Sequence, residues 1–279
     1  MQIQWYPGHM TKAKRAMKED MKLVDLVIEL TDARVPQSGR NPDIDSLAGQ
    51  KARVMLLNKA DLADEAETAA WMTAFKRQGI LAIAADARQR TFRKQVMDAV
   101  MTACQAKLER DKRRGIQNRP IRAMVVGIPN VGKSTFINSF AGRVSAKTGN
   151  KPGVTRGNQW IRIDKQLELL DTPGILWPKF EDQTVGLHLA MIGSISDDIL
   201  PIEELAFELL KLLAERYPQC LKDRYGLEMD VDPMERMDWV ANRRGCLKKG
   251  GEPDYEKTAR AILDDFRSGR LGKITLERA

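Results

Sequence analysis

The stretch Gly127-Ile-Pro-Asn-Val-Gly-Lys-Ser134 decides the fold class of this chain of 279 residues. It matches the pattern G-x-x-x-x-G-K-[ST], follows an apolar run and opens a helical stretch, which together indicate a phosphate-binding P-loop. Such a loop surrounds phosphate oxygens with backbone N–H groups, and the following helix directs its positive end at them. We prefer this interpretation to that of an accidental glycine-rich turn.

Six residues of the P-loop are expected to contact a bound nucleotide. Lys133 adds a full positive charge beside the outer phosphates, and Ser134 is the expected ligand of a magnesium ion. The expected set is Asn130, Val131, Gly132, Lys133, Ser134 and Thr135.

A second phosphate-related motif follows residues 167–170, which form a predicted buried strand. In the motif Asp171-Thr-Pro-Gly174, the carboxylate of Asp171 is expected to reach magnesium through water. The backbone N–H of Gly174 is expected to meet the terminal phosphate. The two motifs together predict a site that hydrolyses a nucleoside triphosphate.

The tetrad Asn58-Lys-Ala-Asp61 follows an apolar run at residues 53–57 and predicts guanine recognition. Asp61 can accept two hydrogen bonds from guanine, a pairing that adenine cannot offer. Lys59 is expected to lie along the base, and Asn58 to tie this loop, which includes Ala60, to the P-loop. The tetrad alone is a weak pattern, but beside the other two motifs it indicates GTP and GDP as ligands.

The order of these motifs predicts a circular permutation. Strands are expected at residues 25–32, 53–57 and 80–83, and a helix of roughly residues 91–113 leads to the P-loop strand. The later half of a GTPase sheet thus comes first, which is possible because domain termini usually lie close together. The predicted fold class is α/β, with a doubly wound, mostly parallel sheet. We expect a permuted P-loop GTPase domain at residues 1–178, including a basic helical segment at 1–22, and a small all-helical domain at 179–279.

The motif order, with Trp5-Tyr-Pro-Gly-His-Met10 and Asp32-Ala-Arg-Val-Pro36, resembles the circularly permuted ribosome-assembly GTPases of the YlqF/RbgA type. The resemblance covers nearly the whole chain. It implies a cytoplasmic factor that binds the large ribosomal subunit and its rRNA in the GTP state, hydrolyses GTP there and is then released. Where that family has a Ser-Ala-type loop against guanine, this chain has Ala84-Ala-Asp-Ala87. Ala85, Asp86 and Ala87 are therefore expected to contact the base with backbone groups.

Residues 145–157, between the P-loop and the D-T-P-G motif, are expected to be the first switch, a loop ordered by magnesium and the terminal phosphate. Thr155 is preferred to Thr148 as its magnesium ligand, because Pro152-Gly-Val-Thr155 resembles the pattern of ribosome- and RNA-associated GTPases.

The group that positions the attacking water is not the usual glutamine, because Ile175 and Leu176 follow Gly174. The substitute implied by the resemblance matches His9, an imidazole that can orient water; the alternative is that His9 caps the helix beginning near Met10. Asn130 matches residues that help bind potassium in similar GTPases, and the alternative is an asparagine that stabilises its own loop.

The net charge of +8 fits contact with RNA phosphates. The positive residues concentrate in three segments, whose members are Lys12, Lys14, Arg15, Lys18 and Lys22; Lys107, Arg110, Lys112, Arg113, Arg114, Arg119 and Arg122; and Arg243, Arg244, Lys248 and Lys249. The expected partners are the large ribosomal subunit and its rRNA, and we expect no contact with a membrane or with DNA. The free protein is expected to be a monomer. The three cysteines show no zinc-binding spacing.

Two other classes of protein share some of these motifs. An ATP-using kinase or ATPase shares the P-loop, but Asp61 argues against it. A GTP-binding scaffold with negligible turnover of its own shares every motif. The absence of the usual glutamine after Gly174 fits that class as well. In a GTPase and in such a scaffold alike, the D-T-P-G segment is expected to be the second switch. It leads directly into the helical domain, so movement of Gly174 would be transmitted there.

Overall fold

The computed structural model describes residues 9–86, 92–116, 119–142, 159–172, 174, 176–177, 180–228 and 231–279, with the backbone alone at 9–14. Three predicted site features lie outside this description: Ala87, the switch threonine Thr155 with its alternative Thr148, and the imidazole of His9.

A six-stranded sheet forms the centre of the chain, in the order β3-β2-β1-β4-β6-β5. All neighbouring strands are parallel except β5, which pairs antiparallel with β6. The strands are β1 (Leu26–Asp32), β2 (Ala52–Asn58), β3 (Leu81–Ala85), β4 (Ile121–Gly127), β5 (Gln159–Arg162) and β6 (Leu167–Asp171). The predicted doubly wound, mostly parallel sheet is confirmed, and the P-loop strand β4 lies beside β1 as the permutation requires.

Helices cover the sheet and continue beyond it. Those among the sheet strands are α1 (His9–Met21), α2 (Asp43–Ala48), α3 (Glu65–Arg77), α4 (Phe92–Ala103), α5 (Gln105–Arg113) and α6 (Lys133–Ala141). The later ones are α7 (Gln183–Met191), α8 (Ile202–Arg216), α9 (Pro218–Tyr225), α10 (Arg236–Arg244) and α11 (Tyr255–Arg267). In the part of the chain that the structure describes, no helix has the length and apolar character needed to cross a membrane.

The central strands are near-continuous apolar runs because helices cover both faces of the sheet. Every residue of β1 is buried, as are residues 54–58 of β2. The helix predicted over residues 91–113 is interrupted at Cys104, so that α4 and α5 are separate elements. The interruption is local, because Cys104 still donates to the Val100 carbonyl and accepts from the Leu108 N–H.

The helical part of the chain packs against the carboxyl edge of the sheet. Its final segment bonds to two sheet loops: the Ile274 N–H donates to the Leu62 carbonyl at 3.0 Å, and the Leu276 N–H to the Arg34 carbonyl at 2.8 Å. Buried side chains of the sheet and of helices α7–α11 form one cluster. The division of the chain at residue 178 stays a prediction.

Candidate nucleotide site

The site lies at the carboxyl edge of the parallel strands, where the strand order reverses between β1 and β4. A crevice opens at such a point because the connections from the two strands leave in opposite directions. The P-loop follows β4, the guanine loop (residues 58–61) begins at the last residue of β2, and Asp171 ends β6. Motifs that are far apart in the sequence thus meet at one edge.

The P-loop and the guanine loop are joined by the side chain of Asn58. Its amide nitrogen donates a hydrogen bond of 2.8 Å to the Val131 carbonyl, as predicted for this residue. Gly132, at φ 96, packs against the same amide: a Cβ there would lie 2.6 Å from Asn58 Nδ2. A side chain at position 132 would therefore push the two loops apart.

Lys59 and Asn130 form a second connection between these loops. The ammonium of Lys59 donates to the Asn130 carbonyl at 3.1 Å and lies 3.0 Å from Asp32 Oδ2. Among the described non-glycine residues, Lys59 and Asn130 alone have positive φ, at 57° and 58°. Strained backbone of this kind persists where surrounding contacts enforce it, and it is frequent at ligand sites.

Lys133 and Asp171 are buried at the centre of the site. The Lys133 ammonium donates to the carbonyls of Gly127 and Ile128, each at 3.0 Å. Burial lowers the pKa of Lys133 to about 8, although the charge of Asp171 opposes the shift. Burial likewise raises the pKa of Asp171 to about 6, against the opposing charge of Lys133. A charged ligand would therefore stabilise the ionised forms of both groups, because it would replace the solvation that burial removes.

The donor set fits a magnesium ion bound with phosphates. Asp171 Oδ1 is buried and has no hydrogen-bond partner among the described residues, which is costly unless a ligand satisfies it. Ser134 lies in the first turn of α6, half-buried, and Thr135 beside it is exposed. An oxygen-rich set of carboxylate, hydroxyl and phosphate is the kind that magnesium prefers.

The D-T-P-G segment lies directly against the P-loop. Thr172 donates through its hydroxyl to the Val125 carbonyl of β4 at 2.7 Å. A Cβ on Gly174 would lie 2.8 Å from Pro129 Cα and 3.0 Å from Lys133 Nζ. Only glycine allows this backbone to lie so close to Lys133.

A cavity of about 270 Å³ lies where guanine is expected. Its lining residues are Ala60, Asp61, Ala84, Ala85, Asp86, Phe92 and Gln95. The carboxylate chosen for base recognition and the end of β3 therefore line one pocket. The individual contacts of Asp61, Ala85 and Asp86 with a base stay predictions.

Asp32 and Arg34, which in the sequence are only part of the family pattern at residues 32–36, form a buried ion pair. Arg34 donates to both carboxylate oxygens of Asp32, at 2.9 and 2.8 Å. Although burial opposes ionisation, the charges of Arg34 and Lys59 hold the pKa of Asp32 well below its usual range. The signal available in the sequence was a pair of charges directly after an apolar strand.

Asn130 also contacts the turn after α7. Its amide nitrogen donates to the Gly193 carbonyl at 2.7 Å, and the Ser194 hydroxyl donates to the Pro129 carbonyl at 2.8 Å. The Asn130 side chain thus joins the P-loop to this turn, and the two interpretations of the residue stay predictions. His188, in α7, is buried and lies 3.1 Å from Ser38 Oγ and 3.2 Å from Glu277 Oε1, so it belongs to the packing of the final segment.

Comparison with known proteins agrees with this geometry. Residues 122–217 match a family model described as 50S ribosome-binding GTPase, a segment that begins in the P-loop strand and excludes the guanine loop. The chain is 50% identical over 279 residues to Ribosome biogenesis GTPase A of Priestia megaterium, covering 99% of this chain and 97% of the relative.

A mouse relative and a solved structure extend the similarity. Mitochondrial ribosome-associated GTPase 1 of Mus musculus is 34% identical, covering 98% of this chain and 90% of the relative. The crystal structure of GNP-bound YlqF from T. maritima superposes with a TM-score of 0.68 at 29% identity, covering 96% of this chain and 98% of that one.

Proposed function

We propose, from the premise that this chain belongs to the ribosome biogenesis GTPase A family, that it acts on the large ribosomal subunit and contacts its rRNA in the cytoplasm. The chain is a GTPase and a ribosome-assembly factor. The observation that carries the proposal is the hydrogen bond from Asn58 to the Val131 carbonyl, which joins the guanine loop to the P-loop and supports one GTP site built from two distant segments.

Each residue of that site has its own proposed role. Asp61 selects guanine, Lys133 and the P-loop N–H groups bind phosphates, and Gly174 places its N–H beside the terminal phosphate. Ser134, Asp171 and Thr155 would hold magnesium, which neutralises charge on the phosphate oxygens when bound. The orphaned oxygen of Asp171 supports this assignment.

We assign the positioning of the attacking water to His9. The helix that begins at His9 is anchored at its other end, where Met17 and Met21 are buried. Its first turn can therefore be oriented by a docked subunit without moving the sheet. Replacement by alanine should retain GTP binding and subunit association but reduce subunit-stimulated turnover by ~10²-fold. Stimulated turnover equal to that of the unmodified protein would return His9 to the helix-capping role.

Potassium beside the phosphates is a further proposal for Asn130. The backbone at φ 58 and the bond to Gly193 fix this side chain at the P-loop. A monovalent cation there would supply positive charge that other GTPases take from arginine. Hydrolysis in potassium chloride should exceed hydrolysis in sodium chloride, and Asn130→Ala should abolish that difference. Equal rates in both salts would exclude a potassium role.

Contact with rRNA is supported by basic side chains on two surfaces. The last turn of α5 carries Arg110, Lys112 and Arg113, all exposed. In the helical part, the fully buried Asp265 accepts two hydrogen bonds from Arg224 and lies 3.1 Å from Arg270 and 3.6 Å from Arg244.

The buried carboxylate keeps these three guanidinium groups together while each remains partly exposed, at 28%, 34% and 44% for Arg224, Arg244 and Arg270. Guanidinium groups held in a fixed orientation match phosphate geometry with little further ordering. We therefore expect phosphate-backbone recognition by shape and charge.

Co-sedimentation with purified large subunits tests the proposal. Pelleting should be stronger with a non-hydrolysable GTP analogue than with GDP, and should fall steeply as salt rises. Arg110→Glu/Arg113→Glu should weaken pelleting at least about tenfold, whereas Lys76→Glu/Arg77→Glu, the same charge change at the end of α3, should not. Equal pelleting with both nucleotides, or indifference to salt, would reject this partner.

A further inference from the structure

The P-loop is fixed from outside by the turn after α7, residues 192–194. Asn130 donates to the Gly193 carbonyl, and Ser194 donates to the Pro129 carbonyl. Two adjacent residues of the turn thus hold two adjacent residues of the P-loop. Ser194 is buried, with 1% of its surface exposed. The position of the P-loop therefore depends on the position of this turn.

Arg267, the last residue of α11, holds this turn in place. Arg267 donates from Nε to the Met191 carbonyl at 2.9 Å and from Nη2 to the Ala190 carbonyl at 2.8 Å. These carbonyls lie at the end of α7, where the regular helical hydrogen-bond pattern stops. The Ala190 carbonyl also accepts from the Gly193 N–H at 3.0 Å. The same guanidinium forms a two-pronged pair with Asp197, at 2.7 and 2.8 Å. One side chain thus fixes both ends of the segment that contains the turn.

The end of α11 also contacts the guanine side of the site. Arg34 donates to the carbonyls of Phe266 and Arg267, at 3.3 and 3.4 Å, and its guanidinium lies 5.0 Å from the centre of the Phe266 ring. Arg34 pairs with Asp32, which pairs with Lys59 of the guanine loop. Two consecutive residues of α11 are therefore connected to both nucleotide-binding loops.

We propose that Arg267 is a positioning residue for the P-loop, through which the helical part of the chain controls how long GDP stays bound. The proposal rests on the nucleotide site described under the proposed function. Asp265, which gathers the arginines assigned to rRNA contact, lies two positions before Arg267 on the same helix. Contact with rRNA at those arginines would act on the end of α11 that holds the P-loop.

Proximity alone does not establish coupling, so the test measures whether Arg267 acts through the turn. The variants are Arg267→Ala, Ser194→Ala and the double substitution, all in the full chain. Arg260→Ala is the matched control, because Arg260 lies on α11 and pairs with the exposed Glu256. The readout is the dissociation rate of a fluorescent GDP chased with unlabelled GDP, together with the melting temperature.

Arg267→Ala should speed GDP dissociation about fivefold or more, and Ser194→Ala should speed it to a smaller extent. The double variant should release GDP no more than about twofold faster than Arg267→Ala, because both substitutions break one route. Arg260→Ala should match the unmodified protein. Rates that multiply in the double variant, or a normal rate in Arg267→Ala, would overturn the proposal.

A purely structural role for Arg267 would lower the melting temperature and leave the GDP dissociation rate unchanged. If Arg267→Ala does not fold, Arg267→Lys keeps the charge and most of the stem but cannot bond both carbonyls and Asp197. It should then show the faster release, and a normal rate in this variant would refute positioning. Failure of the unmodified protein to bind GDP would refute the nucleotide site itself, which is a distinct outcome.

Discussion

Lys59 and Asn130, both with left-handed backbone at φ 57° and 58°, are joined by a hydrogen bond of 3.1 Å from the Lys59 ammonium to the Asn130 carbonyl. Each lies in a different nucleotide-binding loop. Because a lysine in this conformation is strained, its side-chain contacts must hold it there. The bond therefore explains how two loops from distant parts of the sequence keep one geometry.

This strain gives a prediction for position 59. The free energy of unfolding of Lys59→Gly should be about 1 kcal/mol higher than that of Lys59→Ala, because glycine adopts positive φ without a steric penalty. Both variants should bind GDP more weakly than the unmodified protein, since both lose the ammonium. Urea unfolding and fluorescent-GDP titration measure the two effects. An alanine variant as stable as the glycine variant would show that the backbone is not strained.

Base selection should depend on Asp61, which lines the cavity at the end of β3. Asp61→Asn should weaken GTP binding and favour xanthosine triphosphate, because an amide can donate to the carbonyl that replaces the guanine amine. Competition against labelled GDP measures the change of preference. Retention of full guanine preference would contradict the assignment of Asp61.

The buried carboxyl of Asp171 should affect stability in a defined pH interval when nucleotide and magnesium are removed. Its pKa rises from 3.8 to about 6 on folding, so the folded chain binds more protons and stability falls as pH rises between those values. The unfolding free energy of the unmodified protein minus that of Asp171→Asn should therefore fall by about 1–3 kcal/mol from pH 4 to pH 6.5.

Urea unfolding of both proteins across this interval checks the pH prediction. Other titrating groups cancel in the difference, since the two proteins share them. Parallel curves would show that Asp171 is solvated and that no ligand is needed to satisfy it. Addition of magnesium and GDP should stabilise both proteins, and should stabilise the unmodified protein more because only it keeps the carboxylate beside the ion.

Removal of Arg34 should destabilise the chain more than removal of its whole pair. Arg34→Met leaves Asp32 buried with only Lys59 beside it, which should cost about 3–5 kcal/mol. Asp32→Asn combined with Arg34→Met removes both charges of the pair and should lose less. Denaturant unfolding compares the two, and a single variant within about 1 kcal/mol of the unmodified protein would contradict the role of the pair.

The sequence was sufficient for five of the six strands in the described sheet and for the motifs at its edge, whereas the antiparallel strand β5 was not predicted. Apolar runs predicted those five strands, and the roles of the short motifs predicted which loops meet. The hydrogen bond from Asn58 to the P-loop was predicted in this way and is confirmed.

Contacts that depend on tertiary packing could not be predicted. Arg267 and Asn130 are connected through the turn after α7, and no local pattern in the sequence marks that turn as a partner of the P-loop. The bonds from Ile274 and Leu276 to the sheet loops are equally invisible, because an irregular final segment has no period. Helix and strand preferences describe local backbone, whereas these bonds join segments far apart in the chain.

The central claim is that the large ribosomal subunit completes this GTP site, and the most direct measurement is the GTP hydrolysis rate with and without purified large subunits. We predict that saturating subunits raise the turnover number at least about tenfold, because docking would orient the group that positions the attacking water. ATP should not be hydrolysed in either condition. A turnover number that subunits leave unchanged, although the protein pellets with them, would contradict the account.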